Sequence, residues 1–360
     1  MRRNEFLLCL IILLLVCPSF GQSNLEATYF PPSPNASSLL EYASVPVNLY
    51  SGIPQIEVPI FNLENEVQDI NVYLSYHASG NKVQDIASSV GLGWTLNAGG
   101  AITRLVRGLP DDDVNGYFNI GINVTDATVL DEDIDLEPDI FYFNFMGKSG
   151  RIVLDQSENV LMVPELDFKI LSPDFSSSNP KWTIIDTNGI EYTFGLDASS
   201  REVSATKLER DSESKRRSYI STWYLSTIRS PHFTRGIDFS YSAGSELNYQ
   251  NYRQIKGTEI VSQRIVSCSP SCINSVISGE TVSLNTDIRV VQPRYLRQIT
   301  SSRGSVYFDY QNDRQDLTNG RRLYRIRLAD SNGVIKRTKA INTTSYFGSC
   351  GTDLCKRLIL

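Results

Sequence analysis

Two segments of this chain share one pattern: Tyr-Leu-x-x-Ile, then a turn, then an alternating aromatic strand that ends in tyrosine. They are YLSTIRSPHFTRGIDFSYS, residues 224 to 242, and YLRQITSSRGSVYFDYQN, residues 295 to 312. Apolar and polar residues alternate on each side of the turn, which is typical of a β-strand with one buried face. Each segment therefore predicts a β-hairpin, and the recurrence predicts a repeated architecture.

Two further segments carry the residues of a tight hairpin turn. WTIIDTNGIEYTFG, residues 182 to 195, and GRRLYRIRLADSNGVIKR, residues 320 to 337, each place Asn-Gly between alternating runs. Both residues of such a turn accept the positive φ that its twist requires. Because a single hairpin is only marginally stable, we expect several to line up edge to edge. The predicted fold class is all-β, with antiparallel β-hairpin repeats that form a curved sheet.

The composition agrees with a β-rich fold and limits the class of partner. The sequence holds 18 Tyr and 15 Phe but only 3 Met, and aromatic residues favour strands. A net charge of -6 argues against nucleic acid as a partner. Lys215, Arg216 and Arg217 form one short basic cluster between acids, which we interpret as a solvated loop.

The N-terminus has the pattern of an export signal. Arg2 and Arg3 precede an apolar stretch, residues 6 to 16, and a small-residue cleavage site. That stretch has about half of the roughly 20 residues that a membrane span needs. We therefore expect a signal peptide at residues 1 to 22 and no transmembrane span after its removal, so that the protein is secreted or associated with the cell envelope. The alternative is a lipoprotein anchored through Cys17.

Three regions are predicted beyond the signal peptide. Residues 23 to 44 are rich in Pro, Ser and Asn and indicate a disordered leader. Residues 45 to 155 form an N-terminal β region with a glycine-rich Trp signature. Residues 156 to 360 form a region of hairpin repeats.

Four cysteines remain after the signal peptide. In an exported protein, two local disulfides are the expected arrangement. A zinc site is the alternative, although the spacings are unusual and no histidine lies near. The candidates are Cys268, Cys272, Cys350 and Cys355.

The segment VGLGWTLNAGGAITRLVRGLP, residues 90 to 110, concentrates glycines around a tryptophan. A dinucleotide fingerprint would need a third glycine where Leu96 stands, and no helix pattern follows, so we expect no nucleotide and no other cofactor. The glycines are instead predicted to supply positive φ or to let another backbone or a ring approach closely. Trp94 would be a buried anchor, and Gly99 with Gly100 a hairpin turn. The predicted structural residues are Gly91, Gly93, Trp94, Gly99 and Gly100.

The two histidines offer little for catalysis. His77 follows Ser75 on one strand face, but the segment lacks the sharp nucleophile turn of a Ser-His hydrolase, and no acid is indicated. We interpret His77 as a partly buried strand histidine and His232 as a turn residue. We therefore predict no catalytic residues.

Carboxylates cluster between residues 111 and 139. Asp111, Asp113 and Asn115, followed by a glycine, resemble the first half of a calcium loop, but Ile122 stands where the bidentate acid is expected. They remain weak calcium candidates beside the alternative of an exposed acidic turn. Five acids at alternate positions, from Asp131 to Asp139, are interpreted as a solvated loop face.

The stretch SYHASGNKVQDIASSVGLGWTLNAGGAITRLVRGLPDDD, residues 75 to 113, resembles the N-terminal region of secreted RHS/YD-repeat proteins of Bacteroidetes. More distantly, it resembles the SpvB-like opening of insecticidal toxin-complex B components. EPDIFYFNFMGKSGRIVLD, TWYLSTIRSP and YFDYQNDRQDLTNGRRL are also similar to that family, so the likeness covers nearly all of residues 45 to 360. It implies a β-shell of wound hairpin repeats, which often encloses a C-terminal toxin or effector.

Two departures from the family affect the functional expectation. The RHS core with its self-cleaving aspartate motif and variable tip is absent from this sequence, and the final CKRLIL has the alternation of another strand. We therefore expect an N-terminal portion of a longer protein, or a truncated gene product, with a repeat region that is incomplete at its C-terminus.

The predicted function is that of a non-enzymatic, exported β-shell scaffold that encloses or presents a polymorphic toxin, or that acts at the cell surface. Its expected partner is its own C-terminal toxin or effector segment, or a cell-surface glycan or protein. The alternatives are a secreted carbohydrate-binding module and a polysaccharide hydrolase that uses two of the clustered carboxylates.

Overall fold

A computed structural model of the chain describes residues 52–78, 80, 85–119, 135–207, 216–261, 277–347 and 357–360. All of them belong to one compact unit, Val47–Leu360. The predicted signal peptide, the leader at 23 to 44, Lys215 and the four cysteines lie outside the described residues.

The described part of the chain consists of strands and one single-turn 3-10 helix, Ala198–Ser200. No helix within it is long and apolar enough to cross a bilayer. The strands are β1 Gln55–Leu63, β2 Ile70–His77, β3 Trp94–Asn97, β4 Gly100–Leu105, β5 Ile140–Phe145, β6 Lys148–Leu154, β7 Val160–Val163, β8 Lys169–Leu171, β9 Trp182–Ile185, β10 Glu191–Phe194, β11 Arg201–Lys207, β12 Arg216–Ser230, β13 Phe233–Ala243, β14 Leu247–Val261, β15 Ile277–Gln292, β16 Arg294–Ser301, β17 Gly304–Gln311, β18 Arg322–Asp330, β19 Ile335–Ala340, β20 Ser345–Phe347 and β21 Arg357–Ile359.

Most strands join one large antiparallel sheet. Its main path is β19-β18-β17-β16-β13-β12-β4-β5-β6-β7, and β8 to β11, β14 and β15 branch from it. The strands β1-β2-β3 form a second sheet, and β20 pairs with β21. The prediction of an all-β fold made of antiparallel hairpins in a large sheet is confirmed.

All four hairpins that the sequence predicted are formed. The two segments with the Tyr-Leu-x-x-Ile pattern are the hairpins β12-β13 and β16-β17. The Asn-Gly segments are the hairpins β9-β10 and β18-β19, with φ of 74° at Gly189 and 80° at Gly333. Because β13 also pairs with β16, the two repeat hairpins are neighbours in one sheet.

Aromatic side chains fill the core. Phe141, Phe143 and Phe145 alternate with exposed residues along β5, so one face of the strand is buried. Trp182 and Trp223 meet edge to face with ring centroids 6.3 Å apart, an arrangement that aromatic pairs favour. The same hydrophobic cluster contains residues of the three-stranded sheet, among them Ile70 and Leu74, so the two sheets share one core.

Two local predictions were wrong. Gly99 and Gly100 do not close a hairpin, because β3 pairs with β2 while β4 pairs with β5 and β12. The chain instead passes here from the three-stranded sheet into the large sheet. The basic cluster is not a loop throughout, since Arg216 and Arg217 begin β12 and pair with β11.

The final residues form the strand that their alternation predicted. β21 pairs with β20, and Leu358 is fully buried against Ala87 and Leu92. Leu92 N donates to Leu358 O over 2.8 Å, which ties this strand to the glycine-rich segment.

Candidate functional site

A cavity of about 640 Å³ lies where the chain crosses between the two sheets. Its walls come from β2 and β3 on one side and from β12, β13, β16 and β17 on the other, and Gly99 and Gly100 lie at its edge. This volume is within the range of about 300–1,000 Å³ that small-molecule sites occupy. The cavity is therefore the candidate functional site.

The repeated sequence pattern supplies one wall of this cavity. Tyr224 and Tyr241 are the first and last tyrosines of one repeat, and their ring centroids lie 5.2 Å apart. Tyr295 and Tyr310 occupy the same places in the other repeat, 5.1 Å apart. The four rings stand on four adjacent strands and all line the cavity. We call this wall the tyrosine row.

A buried polar network supports the tyrosine row from behind. Tyr224 Oη donates to Glu202 Oε2 over 3.1 Å, and Ser221 Oγ lies 3.3 Å from Glu202 Oε1. Tyr241 Oη donates to the backbone oxygen of Leu225 over 2.6 Å. These bonds fix the two rings relative to the sheet, because a hydroxyl that is held at its end restricts rotation of the ring.

Burial keeps the tyrosines of the cavity protonated. It raises the pKa of Tyr249 to about 12, and it raises the pKa of Tyr224, Tyr241 and Tyr310 as well. For Tyr224 and Tyr249 the negative charge of Glu202 acts in the same direction. Burial also raises the pKa of Glu202 itself. The tyrosines are therefore neutral hydrogen-bonding groups at physiological pH.

Three arginines line the cavity and differ in how they are bound. Arg314 forms a bidentate pair with Asp316, and it also donates to the backbone oxygens of Ala87 and Ser88. Arg294 donates to backbone oxygens only. The guanidinium of Arg321 lies 5.2 Å from the ring centroid of Tyr295, and its Nη1 donates to Ser242 Oγ over 3.4 Å. Neither Arg294 nor Arg321 forms an ion pair with a carboxylate of the described residues.

Three of the four glycines between residues 91 and 100 occupy places where a side chain would collide. Gly91 has φ of 115°, and a Cβ there would lie 2.8 Å from Leu360 N. Gly93 has φ of 75°, and a Cβ there would lie 2.6 Å from the Tyr76 ring. A Cβ at Gly100 would collide with Phe145, whereas one at Gly99 would come within 3.4 Å of Phe239. The segment therefore uses glycine to bring strands and rings close together.

Trp94 is half-buried, although the sequence predicted a buried anchor. It pairs with Tyr76 across β2 and β3, with ring centroids 5.1 Å apart. Its indole packs against the edge of the core, while the backbone oxygen of Trp94 accepts from Ser88 Oγ over 2.7 Å.

A second polar site is an ionic corner formed by Arg104, Asp111 and Asp139. Arg104 Nε donates to Asp139 Oδ2 over 2.6 Å, and the guanidinium lies 5.5 Å from the ring centroids of Phe141 and Phe175. Both carboxylate oxygens of Asp111 accept from Asp139 N, at 3.0 and 3.1 Å. Burial raises the pKa of Asp111 to about 7, and the charge of Asp139 adds to that shift.

Asp139 and Asp135 are buried, so the prediction of a solvated acidic face was wrong for these two. Burial raises the pKa of Asp139, and Arg104 opposes that shift. Asp135 Oδ2 accepts from Leu109 N over 2.8 Å, and Asp135 Oδ1 accepts from Glu137 N over 3.0 Å. Asp131 and Asp133 lie outside the described residues.

The calcium candidates Asp111 and Asp113 accept hydrogen bonds from different parts of the backbone. Asp111 is fully buried and bonded to Asp139 N, while Asp113 Oδ1 accepts from Asn115 N within a turn. Over the described ranges, no group of three or more His, Cys, Asp or Glu side chains is placed to hold a metal ion.

The two histidines lie apart from the cavity lining. His77 ends β2 and is exposed, although we predicted partial burial, and its backbone N donates to Gly93 O over 2.9 Å. Ser75 Oγ accepts from Asn97 Nδ2 over 2.8 Å. His232 is an exposed residue in the β12-β13 turn, as predicted.

Comparisons with known proteins gave distant structural matches. No protein-family model and no curated protein matches the sequence. The N-terminal domain of the effector protein SpvB from Salmonella typhimurium strain LT2 is similar at 12% identity and a TM-score of 0.38, over 85% of this chain and 97% of that chain. TcdB2-TccC3 is similar at 12% identity and a TM-score of 0.35, over 85% of this chain and 17% of that chain.

TcdB2-TccC3-Cdc42 gives a similar result, at 12% identity and a TM-score of 0.32 over 82% of this chain and 16% of that chain. This chain therefore spans less than a fifth of each of those two chains.

Proposed function

We propose that this protein is a non-enzymatic, exported β-scaffold of the RHS/YD-repeat type, which encloses or presents a toxin or effector polypeptide or acts at the cell surface. The observation that carries the proposal is the stepwise growth of the large sheet from hairpins. From β12 to β19, hairpin follows hairpin, with β14 and β15 as a branch. Such a sheet can be extended by one further hairpin at an edge. It can therefore form the wall of a scaffold whose size varies with the number of hairpins.

The ends of the main path support this role. β7 and β19 have a single neighbour each among the described strands. All six residues of β19 are exposed, and Lys336, Arg337 and Lys339 are among them. Charged residues on an edge strand oppose uncontrolled pairing with other chains. The edge is thus open to a matched partner strand and protected against random association.

The buried polar groups also favour a structural role. The carboxylate of Asp139 accepts hydrogen bonds from Arg104 and from backbone N–H groups of the segment at 107 to 111. The carboxylate of Asp135 accepts a hydrogen bond from the backbone N–H of Leu109. A polysaccharide hydrolase would need two carboxylates free to meet the substrate. The acids of this cluster that are buried are already bonded to the protein.

A turnover assay tests the non-enzymatic part of the proposal. The purified protein is incubated with panels of glycans, peptides and nucleic acids, beside His77→Ala and Asp139→Asn variants. We expect the same background rate for all three proteins. Hydrolysis of any substrate by the wild-type protein, with loss in either folded variant, would overturn the proposal.

A further inference from the structure

We propose that the cavity behind the tyrosine row binds the carboxylate-bearing end of an acidic carbohydrate, that is, a sugar ring with a carboxyl group. This binding activity goes beyond the scaffold function and does not depend on it. The inference rests on four properties of the cavity: its aromatic wall, its free hydrogen-bonding groups, its uncompensated charge and the paired backbones that surround it.

The aromatic wall combines ring faces with phenolic hydroxyls. Tyrosine presents a ring face to the apolar C–H side of a ligand and a hydroxyl to its polar edge, so it suits amphipathic ligands. The row contains one tyrosine from each of four adjacent strands, and Tyr249 of β14 adds a fifth ring. A sugar ring has this same combination of C–H faces and hydroxyl edges.

Hydrogen-bonding groups of the cavity are left without protein partners. The hydroxyls of Tyr249 and Tyr310 form no hydrogen bond to the described residues. The buried side-chain atoms without a hydrogen-bond partner in the described structure do not include these two hydroxyls, so both have some solvent-accessible surface. The exposed amides of Asn71 and Asn144 also line the cavity. Such groups can serve the several hydroxyls of a sugar.

The charge of the lining favours an anion. Asp316 neutralises Arg314, and both side chains are almost fully buried. Arg321 has no carboxylate partner among the described residues, and its guanidinium lies 5.2 Å from the ring centroid of Tyr295. Among the described residues that line the cavity, Asp69 is the one carboxylate, and its Oδ1 accepts from Asn65 N over 2.9 Å. A guanidinium held in this way can form a bidentate pair with a ligand carboxylate.

The surrounding backbones argue for a sugar rather than an acidic peptide. An extended peptide binds a sheet by adding to a free edge. The strands of the tyrosine row are instead interior, because β13 lies between β12 and β16, and β16 lies between β13 and β17. Their edges are already paired, so the cavity offers side chains and not a strand template. An acidic peptide is thus the competing outcome of the test.

A matched pair of probes tests the proposal by calorimetry. The full chain is titrated with disaccharides that end in glucuronic or galacturonic acid, and with the methyl ester of each, which has the same shape without the charge. We expect one of the acids to bind at least about tenfold more tightly than its ester. Equal affinity for acid and ester, or no binding by either acid at millimolar concentration, would overturn the proposal.

Two variants and one control variant locate the binding. Arg321→Gln is expected to abolish the preference for acid over ester, whereas Arg297→Gln, an exposed arginine on the same strand as Tyr295, should leave it unchanged. Tyr310→Phe keeps the ring and should weaken acid and ester alike, so it also tests the site if Arg321→Gln fails to fold. Retained preference in folded Arg321→Gln, unchanged affinity in Tyr310→Phe, or tighter binding of an acidic tetrapeptide than of either sugar would contradict the proposal. Failure of this binding test does not affect the turnover test of the scaffold proposal.

Discussion

Arg104 Nε lies 2.6 Å from Asp139 Oδ2, and neither side chain is exposed to solvent. The arginine is on β4 and the aspartate just before β5, so the pair joins the glycine-rich segment to the first hairpin of the large sheet. The guanidinium also lies 5.5 Å from the centroids of two phenylalanine rings. Arginine fits this place because its flat, delocalised charge stacks on rings while it pairs with a carboxylate.

Removal of this arginine should destabilise the fold strongly. Arg104→Met leaves the buried charge of Asp139 without its partner, and breaking a buried pair in this way costs about 3–5 kcal/mol. Arg107→Met breaks the exposed pair with Glu137 and should cost less than about 1 kcal/mol. Urea unfolding of both variants measures the difference in unfolding free energy. Equal losses would show that the buried pair stabilises the fold no more than the exposed pair does.

Asp111 should make the stability depend on pH. Burial raises the pKa of its carboxyl to about 7, above the ordinary 3.8, so the folded chain holds a proton that the unfolded chain releases. Stability from this group is therefore present at about pH 4 and is lost as the pH rises through about 7. Asp111→Asn removes the ionisation and keeps an oxygen that can accept from Asp139 N.

Thermal or urea unfolding of Asp111→Asn and wild type between pH 4.5 and 8 checks this expectation. The unfolding free energy of the variant should increase relative to that of the wild type as the pH rises, by an amount on the order of 2 kcal/mol over the range. Titrating groups that do not interact with Asp111 are common to both proteins and cancel in the difference. Parallel pH profiles would mean that Asp111 titrates near its ordinary pKa.

Gly91 should tolerate alanine poorly because another strand occupies the space beside it. Gly91→Ala meets the backbone of Leu360 and also adopts an unfavourable positive φ. Gly333→Ala in the β18-β19 turn has the same kind of φ but nothing within 4 Å. We expect a cost of about 1–2 kcal/mol for the control and about 1–3 kcal/mol more for Gly91→Ala, measured by chemical unfolding. If both variants lose the same unfolding free energy, the contact with Leu360 adds nothing to the cost of Gly91→Ala.

The hydroxyls of the tyrosine row should differ in how much they contribute to the stability of the fold. Tyr241→Phe loses the hydrogen bond to Leu225 O and should cost about 1 kcal/mol. Tyr310→Phe removes a hydroxyl without a partner among the described residues, so its unfolding free energy should stay within about 0.5 kcal/mol of wild type. The reverse order of the two effects would refute the hydrogen-bond assignment.

The hairpins could be predicted from the sequence because their determinants are local. Asn188-Gly189 and the alternating runs beside it lie within 14 residues, and the turn chemistry selects the pairing. The pairing of β13 with β16 could not be predicted in the same way. Between these strands the chain passes through β14 and β15, and no local rule fixes where it returns.

The candidate site was missed for the same reason. The repeated tyrosines were visible at the ends of both repeats, and they were the signal that could have revealed the row. Their meeting in one cavity depends on the neighbouring placement of the two hairpins. Asp139 was predicted to be solvated because an alternating acidic run is usually exposed, whereas Arg104, 35 residues away, makes its burial favourable.

The central claim is that the hairpin sheet is a scaffold for another polypeptide. Native mass spectrometry of the protein isolated from its own cells, with and without brief protease treatment, tests it most directly. The account predicts a mass above that of the lone chain, from an attached or bound polypeptide that resists protease while the sheet is folded and is digested once urea unfolds it. A mass equal to that of the lone chain, from both envelope and medium, would contradict the claim.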